Sequence, residues 1–502
     1  MKSVLRYTLL TSFIFIGHFL LAQGQVELIH ADAIYYNKNL VDAQRLKGHV
    51  HFLRDGTHLY CDSAYWYAQK DFTAFGEISI NRSGEFHLTG NQMYYRNVEN
   101  KAYVNGDVVL TDNDMVLTAP RLEYHLSDKT AHYSGGGKII SNSKSDILTS
   151  QMGVYYTQKD LFHFERNVKI IHEQYTLTSS KLDYEYNAEI AHFIAPTVIR
   201  SNNQKVTCTA GYFNSKTQQG ELYEHPIITY EKTKLSGDTI YFDSDKGYGR
   251  AKSNVVIKDT TKQELILGHF AEHFQETGIN IISKNPRIAE IMDEDTLWVQ
   301  SDTIWMKEDS INGDLIKAHH HVVLYHPQFQ GRCDSAFFSA KDSILHLFHQ
   351  PIFWTDNRQL TADTIQICIE NNQVKNFHAF QNAFVIGEVL PSDTVYYDQV
   401  KGRKMTGYFT NNELLKMDVF GNGQLLYFPK NSEKDNKSLG MNKGDCSDIS
   451  ITIKERKIKK INLKKKPDSY FIPMKKTASE SKKLPQFNWR IKEKPDRSCI
   501  KK

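Results

Sequence analysis

An aspartate returns along this chain at Asp32, Asp62, Asp238, Asp302, Asp334, Asp363 and Asp393, each time directly after Ala, Cys, Gly or Ser. Carboxylates perform acid–base chemistry or bind Ca²⁺ when two or more converge on one point. These occur at most once in each period of the pattern described below, so a structural task fits them better: bonding backbone groups freed where a strand bends. His319-His320-His321 offers three imidazoles to a transition metal. Neighbours on a strand face opposite ways, however, so the three do not converge, and no metal is expected. Gly135-Gly-Gly-Lys138 ends in a lysine but lacks the earlier Gly, the Ser or Thr and the helix of a phosphate loop. The six cysteines, Cys61, Cys208, Cys333, Cys368, Cys446 and Cys499, are widely spaced and form no CxxC, so no zinc site is indicated. Cys61 and Cys333 occupy a position held elsewhere by Ala, Gly or Ser and are read as small buried residues, with disulfides permitted by an oxidising compartment. Neither an enzyme nor a cofactor is expected.

The elements that carry these residues repeat about every 30 residues. The first motif is a small residue, often Asp, then an apolar residue and an aromatic two places further on. It reads Ala31-Asp-Ala-Ile-Tyr-Tyr36, Cys61-Asp-Ser-Ala-Tyr-Trp66, Gly237-Asp-Thr-Ile-Tyr-Phe242 and Ser301-Asp-Thr-Ile-Trp-Met306. A second motif follows about 15 residues later with Gly or Asn before a β-branched run, as in Ala74-Phe-Gly-Glu-Ile78, Ala102-Tyr-Val-Asn-Gly-Asp-Val108 and Ala251-Lys-Ser-Asn-Val255. Ala318-His-His-His-Val322 fits that frame. Abundant Tyr, Phe, Thr, Val and Ile, with alternation at period two, predict strands throughout.

Alternation also assigns faces. Ile34 and Tyr36, Ala64 and Trp66, Leu182 and Tyr184, and Ile240 and Phe242 share one side, and the residue between them is free to be Asp183 or Gln366. Met93 with Tyr95, Leu122 with Tyr124, Ile304 with Met306, Ala336 with Phe338, Ile365 with Ile367 and Val395 with Tyr397 extend the same inward row. The apolar residue just upstream, such as Leu59, Leu88 or Leu117, falls on the opposite alternation. Both sets face inward only if the strand bends or bulges between them, at the small–Asp step. Two bent strands per repeat then give two facing sheets, each repeat burying its apolar face against its neighbours.

At the N-terminus, Lys2 and Arg6 precede the apolar run Thr8–Ala22, the layout of a secretory signal. An uncleaved anchor is the other reading. The expected organisation is a signal peptide over 1–22, tandem β repeats over 26–428 and a basic extension over 429–502. That extension carries about 22 Lys and Arg against about 9 Asp and Glu, although the whole chain is only +4. It suits two further strands and a tail, with Lys464-Lys-Lys466 available to anionic partners. No nucleic-acid partner is expected.

The recurring segments Ile29-His-Ala-Asp32 with Tyr36, Leu360-Thr-Ala-Asp363 and Asn105-Gly-Asp-Val108 resemble those of the OstA-like (LptA) family of periplasmic lipopolysaccharide-transport proteins, over roughly Val26 to Phe428. The resemblance implies an all-β, jelly-roll-like trough of antiparallel strands holding the acyl chains of lipopolysaccharide between its sheets. It implies a periplasmic bridge between inner-membrane transport components and an outer-membrane barrel translocon, joined by strand-edge pairing and by end-to-end association of copies. The inward row then becomes the lining of a lipid groove. Two rivals stand beside this reading: a structural or adhesive exported β-solenoid without lipid cargo, and an enzyme acting on polysaccharide, which no closely spaced pair of acids supports.

Overall fold

The computed structural model describes residues 24–36, 43–82, 86–112, 114–141, 146–292, 295–309, 313–371, 373–389, 396–410, 413–430, 438–455, 457–479 and 481–500. The leader over 1–22, Asp393 and Val395 lie outside the described residues. The chain forms two compact units, Met1–Glu173 and Gln174–Lys502. Among the described residues no helix is long and apolar enough to cross a membrane.

The first unit is a meander of antiparallel strands: β1 Glu27–His30, β2 Ala33–Tyr36, β3 Ala43–Arg54, β4 Thr57–Tyr67, β5 Phe72–Arg82, β6 Phe86–Arg96, β7 Lys101–Asp112, β8 Met115–His125, β9 Thr130–Ser141, β10 Ile147–Tyr156 and β11 Leu161–Ile171. From β3 onward each strand pairs with the next, while β1 and β2 both pair with β3. Polar turns close the hairpins. Asp55-Gly56, both at positive φ, joins Arg54 to its partner Thr57, the two-residue turn whose twist suits paired strands.

Every long strand of this unit is interrupted near its middle, and the interruption follows one rule. On β3 the pairing jumps from Lys47–Ser63 to Val50–Cys61, leaving Gly48 and His49 opposite Asp62. Both residues are left-handed, with φ of 73° and 45°. The same left-handed pair recurs as Gly76-Glu77, Gly106-Asp107, Gly135-Gly136 and Arg166-Asn167, and in the second unit as Ser253-Asn254, His320-His321, Gln381-Asn382 and Gly421-Asn422. Two residues against one is a β-bulge. Its consequence for the faces differs between partners. On the aspartate-type strands the buried residues step by three across it, from Cys61 to Ala64 and from Ala119 to Leu122. On the glycine-type strands they step by four, from Leu46 to Val50, Ala74 to Ile78 and Val104 to Val108. The expected parity change is therefore carried by the aspartate strand alone. The other strand absorbs the corner with its left-handed pair.

The aspartates sit at this corner. The Asp62 carboxylate occupies the space a Gly76 Cβ would need, and Asp32 does the same at Gly48. Asp238 and Asp363 accept hydrogen bonds from Asn254 and Asn382 at 3.0–3.2 Å. The main-chain N–H groups of Asp238, Asp302 and Asp363 each reach two carbonyls of the facing strand, as at Lys252 and Ser253.

The second unit repeats the scheme in strands such as Tyr248–Asp259, Glu264–Phe274, Leu315–His326 and Phe329–Ser339. Its core joins Ile240, Ile282, Ile304, Leu347, Ile365, Ala379 and Met405. The basic extension adds the strands Gly440–Lys454, Lys457–Lys464 and Asp468–Pro473. The chain then turns back, and two buried glutamines hold it by its backbone. Gln399 donates to the Lys482 carbonyl at 2.9 Å and accepts from Leu484 N–H at 2.8 Å. Gln359 does the same with Asn488 and Arg490, at 2.8 and 2.7 Å.

The corner predicts a steep local cost. Gly76→Val places a β-branched residue at φ 74° against the Asp62 carboxylate. It is expected to destabilise the protein by about 2 kcal/mol, read as a lower urea midpoint at an unchanged slope.

Candidate functional site

In the first unit the half-strands on either side of the bulge face each other, and inward tyrosines tie them together. Tyr155 donates to the Asp112 carboxylate at 2.8 Å. The Tyr133 hydroxyl lies 2.5 Å from Ser150 Oγ. The Arg54 guanidinium donates to the Tyr95 hydroxyl, which donates in turn to Asn97 Oδ1 at 3.3 Å. Burial pushes the Tyr133 hydroxyl up to about 12. Burial, then the Asp112 and Asp160 carboxylates, raise Tyr155 further. Both hydroxyls stay protonated at neutral pH.

Between the two half-sheets lies a cavity of about 330 Å³. Phe52, Leu59, Phe72, Ile80, Leu88, Met93 and Ala102 form apolar walls, and Arg54, Arg82 and Asn100 stand among them. The rings of Phe52, Phe72 and Tyr95 stack in sequence, with centroids 4.5 and 5.0 Å apart. A second cavity, of about 160 Å³, lies in the other unit against Ile288, Glu290, Leu297, Val299, Ala336 and Phe338.

The inward row is thus partly lining and mostly packing. Met93 and Tyr124 border the cavity that holds Arg54, and Leu122 borders a more open and more polar hollow of about 730 Å³ in the same unit. Ala336 and Phe338 border the cavity of the other unit. Ala64, Tyr95, Leu122, Leu182, Tyr184, Ile240, Ile304, Ile365 and Ile367 are buried, while Trp66, Phe242 and Met306 are half-buried. Trp66 lies edge-on to Phe52 beneath the Lys70 ammonium. Ile34 and Tyr36 are 56% and 79% exposed, and among the described residues β2 pairs with β3 alone. Tyr397 meets Phe487 and Trp489 of the returning C-terminal segment, at 5.1 and 5.4 Å.

The groups set apart in the sequence also find their places. His320 and His321 form a left-handed corner pair, bonded to Asp334 at 3.2 Å and Asp302 at 2.8 Å. Among the described residues no group of three or more His, Cys, Asp or Glu side chains could hold a metal. Gly135-Gly136 is another corner pair, and Gly137 lies against the Tyr133 ring. All six cysteines are unpaired. Burial pushes the thiols of Cys61 and Cys333 up to about 12 and that of Cys208 up to about 11, so they are poor nucleophiles. Arg54 and Asn100 went unrecognised in the sequence. A signal for Arg54 was present, since it continues the inward alternation of Val50 and Phe52.

Residues 23–180 match the model of the family described as OstA-like protein. No curated protein matches the chain. Among solved structures it is similar to LptH, the LptA homologous periplasmic component of the conserved lipopolysaccharide transport device from Pseudomonas aeruginosa. The identity is 15%, the TM-score 0.20, and the match covers 21% of this chain and 79% of that one.

Two carboxylates give the second unit a pH dependence. Burial pushes Glu264 up to about 7 against the opposing pull of Lys262, and burial pushes Asp398 up to about 7 although the Phe428 N–H opposes it. Acids with raised folded pKa bind more protons folded than unfolded, so their contribution falls as pH rises from the ordinary carboxylate range to about 7, then levels. Glu264→Gln with Asp398→Asn is expected to be more stable than the parent at pH 8 and equal to it near pH 4, by thermal melts across that range.

Proposed function

We propose that this chain, OstA-like over residues 23–180, is a periplasmic lipid-binding bridge that carries lipopolysaccharide between the inner and outer membranes. The leader over 1–22 would export it, and the repeats over 26–428 would form the carrying body. The observation that supports this most is the apolar cavity between facing half-sheets, which lies within the OstA-like segment. Its volume falls at the lower end of the range for ligand pockets. An acyl chain entering it gains about 0.8 kcal/mol for each buried methylene. No chemical step is required of the protein, and its walls present aliphatic and aromatic carbon.

The proposed partners would add to strand edges that have no neighbour among the described residues. On the outer strand β2, Ile34, Tyr35 and Tyr36 are exposed, and in the strand Asp468–Pro473 so are Tyr470 and Phe471. These edges suit an inner-membrane transport component, an outer-membrane barrel translocon or a second copy of the chain.

One observation favours the structural solenoid instead. Most of the inward row is packed, with Ala64, Leu182, Ile304 and Ile365 fully buried. Filling the cavity separates the two readings. Ala102→Phe projects a ring into the void, where extra volume is tolerated better than in a packed core. A carrier is expected to lose lipopolysaccharide uptake by at least about tenfold while its melting temperature holds. Unchanged uptake by the folded variant removes the cavity from the function.

A further inference from the structure

We propose that the first unit's cavity recognises the anionic head of a single-chain amphiphile, carboxylate or phosphate, through Arg54. This rests on the lipid-carrier reading and adds to it a charged ligand inside the trough, where acyl packing alone requires none.

Arg54 closes β3 at the Asp55-Gly56 turn, and alternation from Val50 and Phe52 turns it inward. Its side chain is 9% exposed and lines the cavity. A guanidinium sealed against Phe52, Phe72 and Ile80 is costly unless its donors are satisfied. Nη1 is satisfied by Tyr95. Nε has no hydrogen-bond partner among the described residues. The carboxylate beside it, Asp55, stands 3.6 Å away at the turn and is itself 57% exposed. Asn100 also lines the cavity, is 8% exposed, and has an Oδ1 buried with no hydrogen-bond partner among the described residues.

The cavity thus combines an apolar body with a buried cation and a buried, unpartnered amide oxygen. A hydrocarbon fills the body and leaves both polar groups unsatisfied. An alcohol supplies no charge. An oxyanion accepts from Nε–H, which the ion pair with Asp55 at 3.6 Å leaves without a hydrogen bond, and makes the strong charge-assisted form of that bond.

The test is calorimetric titration of the full mature chain with dodecyl phosphate, dodecanoate and dodecanol, each below its micelle concentration. The proposal expects at least one anion to bind about tenfold or more tighter than the alcohol. Arg54→Met is expected to bring that anion to the level of the alcohol, leave the alcohol unchanged and retain the parent's circular dichroism. Arg54→Lys, which keeps the charge, is expected to restore part of the difference. Equal binding of all three ligands by the parent overturns the head-group assignment and leaves the carrier reading standing. Binding of none of them, by a folded chain that also takes up no lipopolysaccharide, overturns both.

Discussion

Everything in this molecule depends on a corner made of two left-handed residues facing one aspartate-type position. A regular strand offers only one face to an interior. The corner lets a single strand serve two facing half-sheets, because burial steps by three on one partner and by four on the other. Cys61 to Ala64 and Leu46 to Val50 show the two steps on adjacent strands. Non-glycine residues tolerate the left-handed region at a cost. Asn254, His321 and Asn382 hold it with side chains bonded to the facing aspartate. Glycine fills the position where the carboxylate presses closest, at Gly48 and Gly76.

Given that corner, the interior follows from which side chains meet across it. Ala102 sits between Tyr95 and Tyr124 of its neighbouring strands, and tyrosines long enough to cross bond to polar groups on the other half-sheet. Those hydroxyl bridges hold the half-sheets together where their mouths would otherwise part. The cavity of the first unit is what remains where Phe52, Phe72 and Met93 do not fill the gap, and Arg54 is the cation in it whose Nε has no hydrogen-bond partner among the described residues.

Much of this was legible in the residues. Strand periodicity, the repeat, the inward pairs and the corner role of the aspartates can be read from Ala31-Asp32 onward, because period-two patterning and turn chemistry are local. Three features were not. The exposure of Ile34 and Tyr36 goes with a strand that pairs with β3 alone among the described residues, which no motif encodes. The covering of Tyr397 by Phe487 and Trp489 joins residues about 90 apart through glutamine side chains, Gln359 and Gln399, that read as ordinary polar positions. The division of the inward row into packing and cavity lining depends on volumes, and alternation gives direction only. Arg54 could have been found by continuing the count from Phe52, but a charged residue beside an Asp-Gly turn reads naturally as solvent-facing.

The C-terminal segment gives the second unit a different interior surface from the first. Leu484, Phe487 and Trp489 join Phe384, Ile386, Leu426 and Phe428 in one cluster, so that stretch of apolar surface is covered by the chain itself. The cavity of the first unit, inside the OstA-like segment, is where lipid is proposed to bind. The most direct test is mass spectrometry of the mature protein purified from its own envelope without detergent. The account predicts co-purified lipopolysaccharide or its lipid anchor in near-stoichiometric amount, released when Ala102 is replaced by Phe. Protein free of lipid that also fails to take up added lipopolysaccharide would contradict it and leave a structural solenoid.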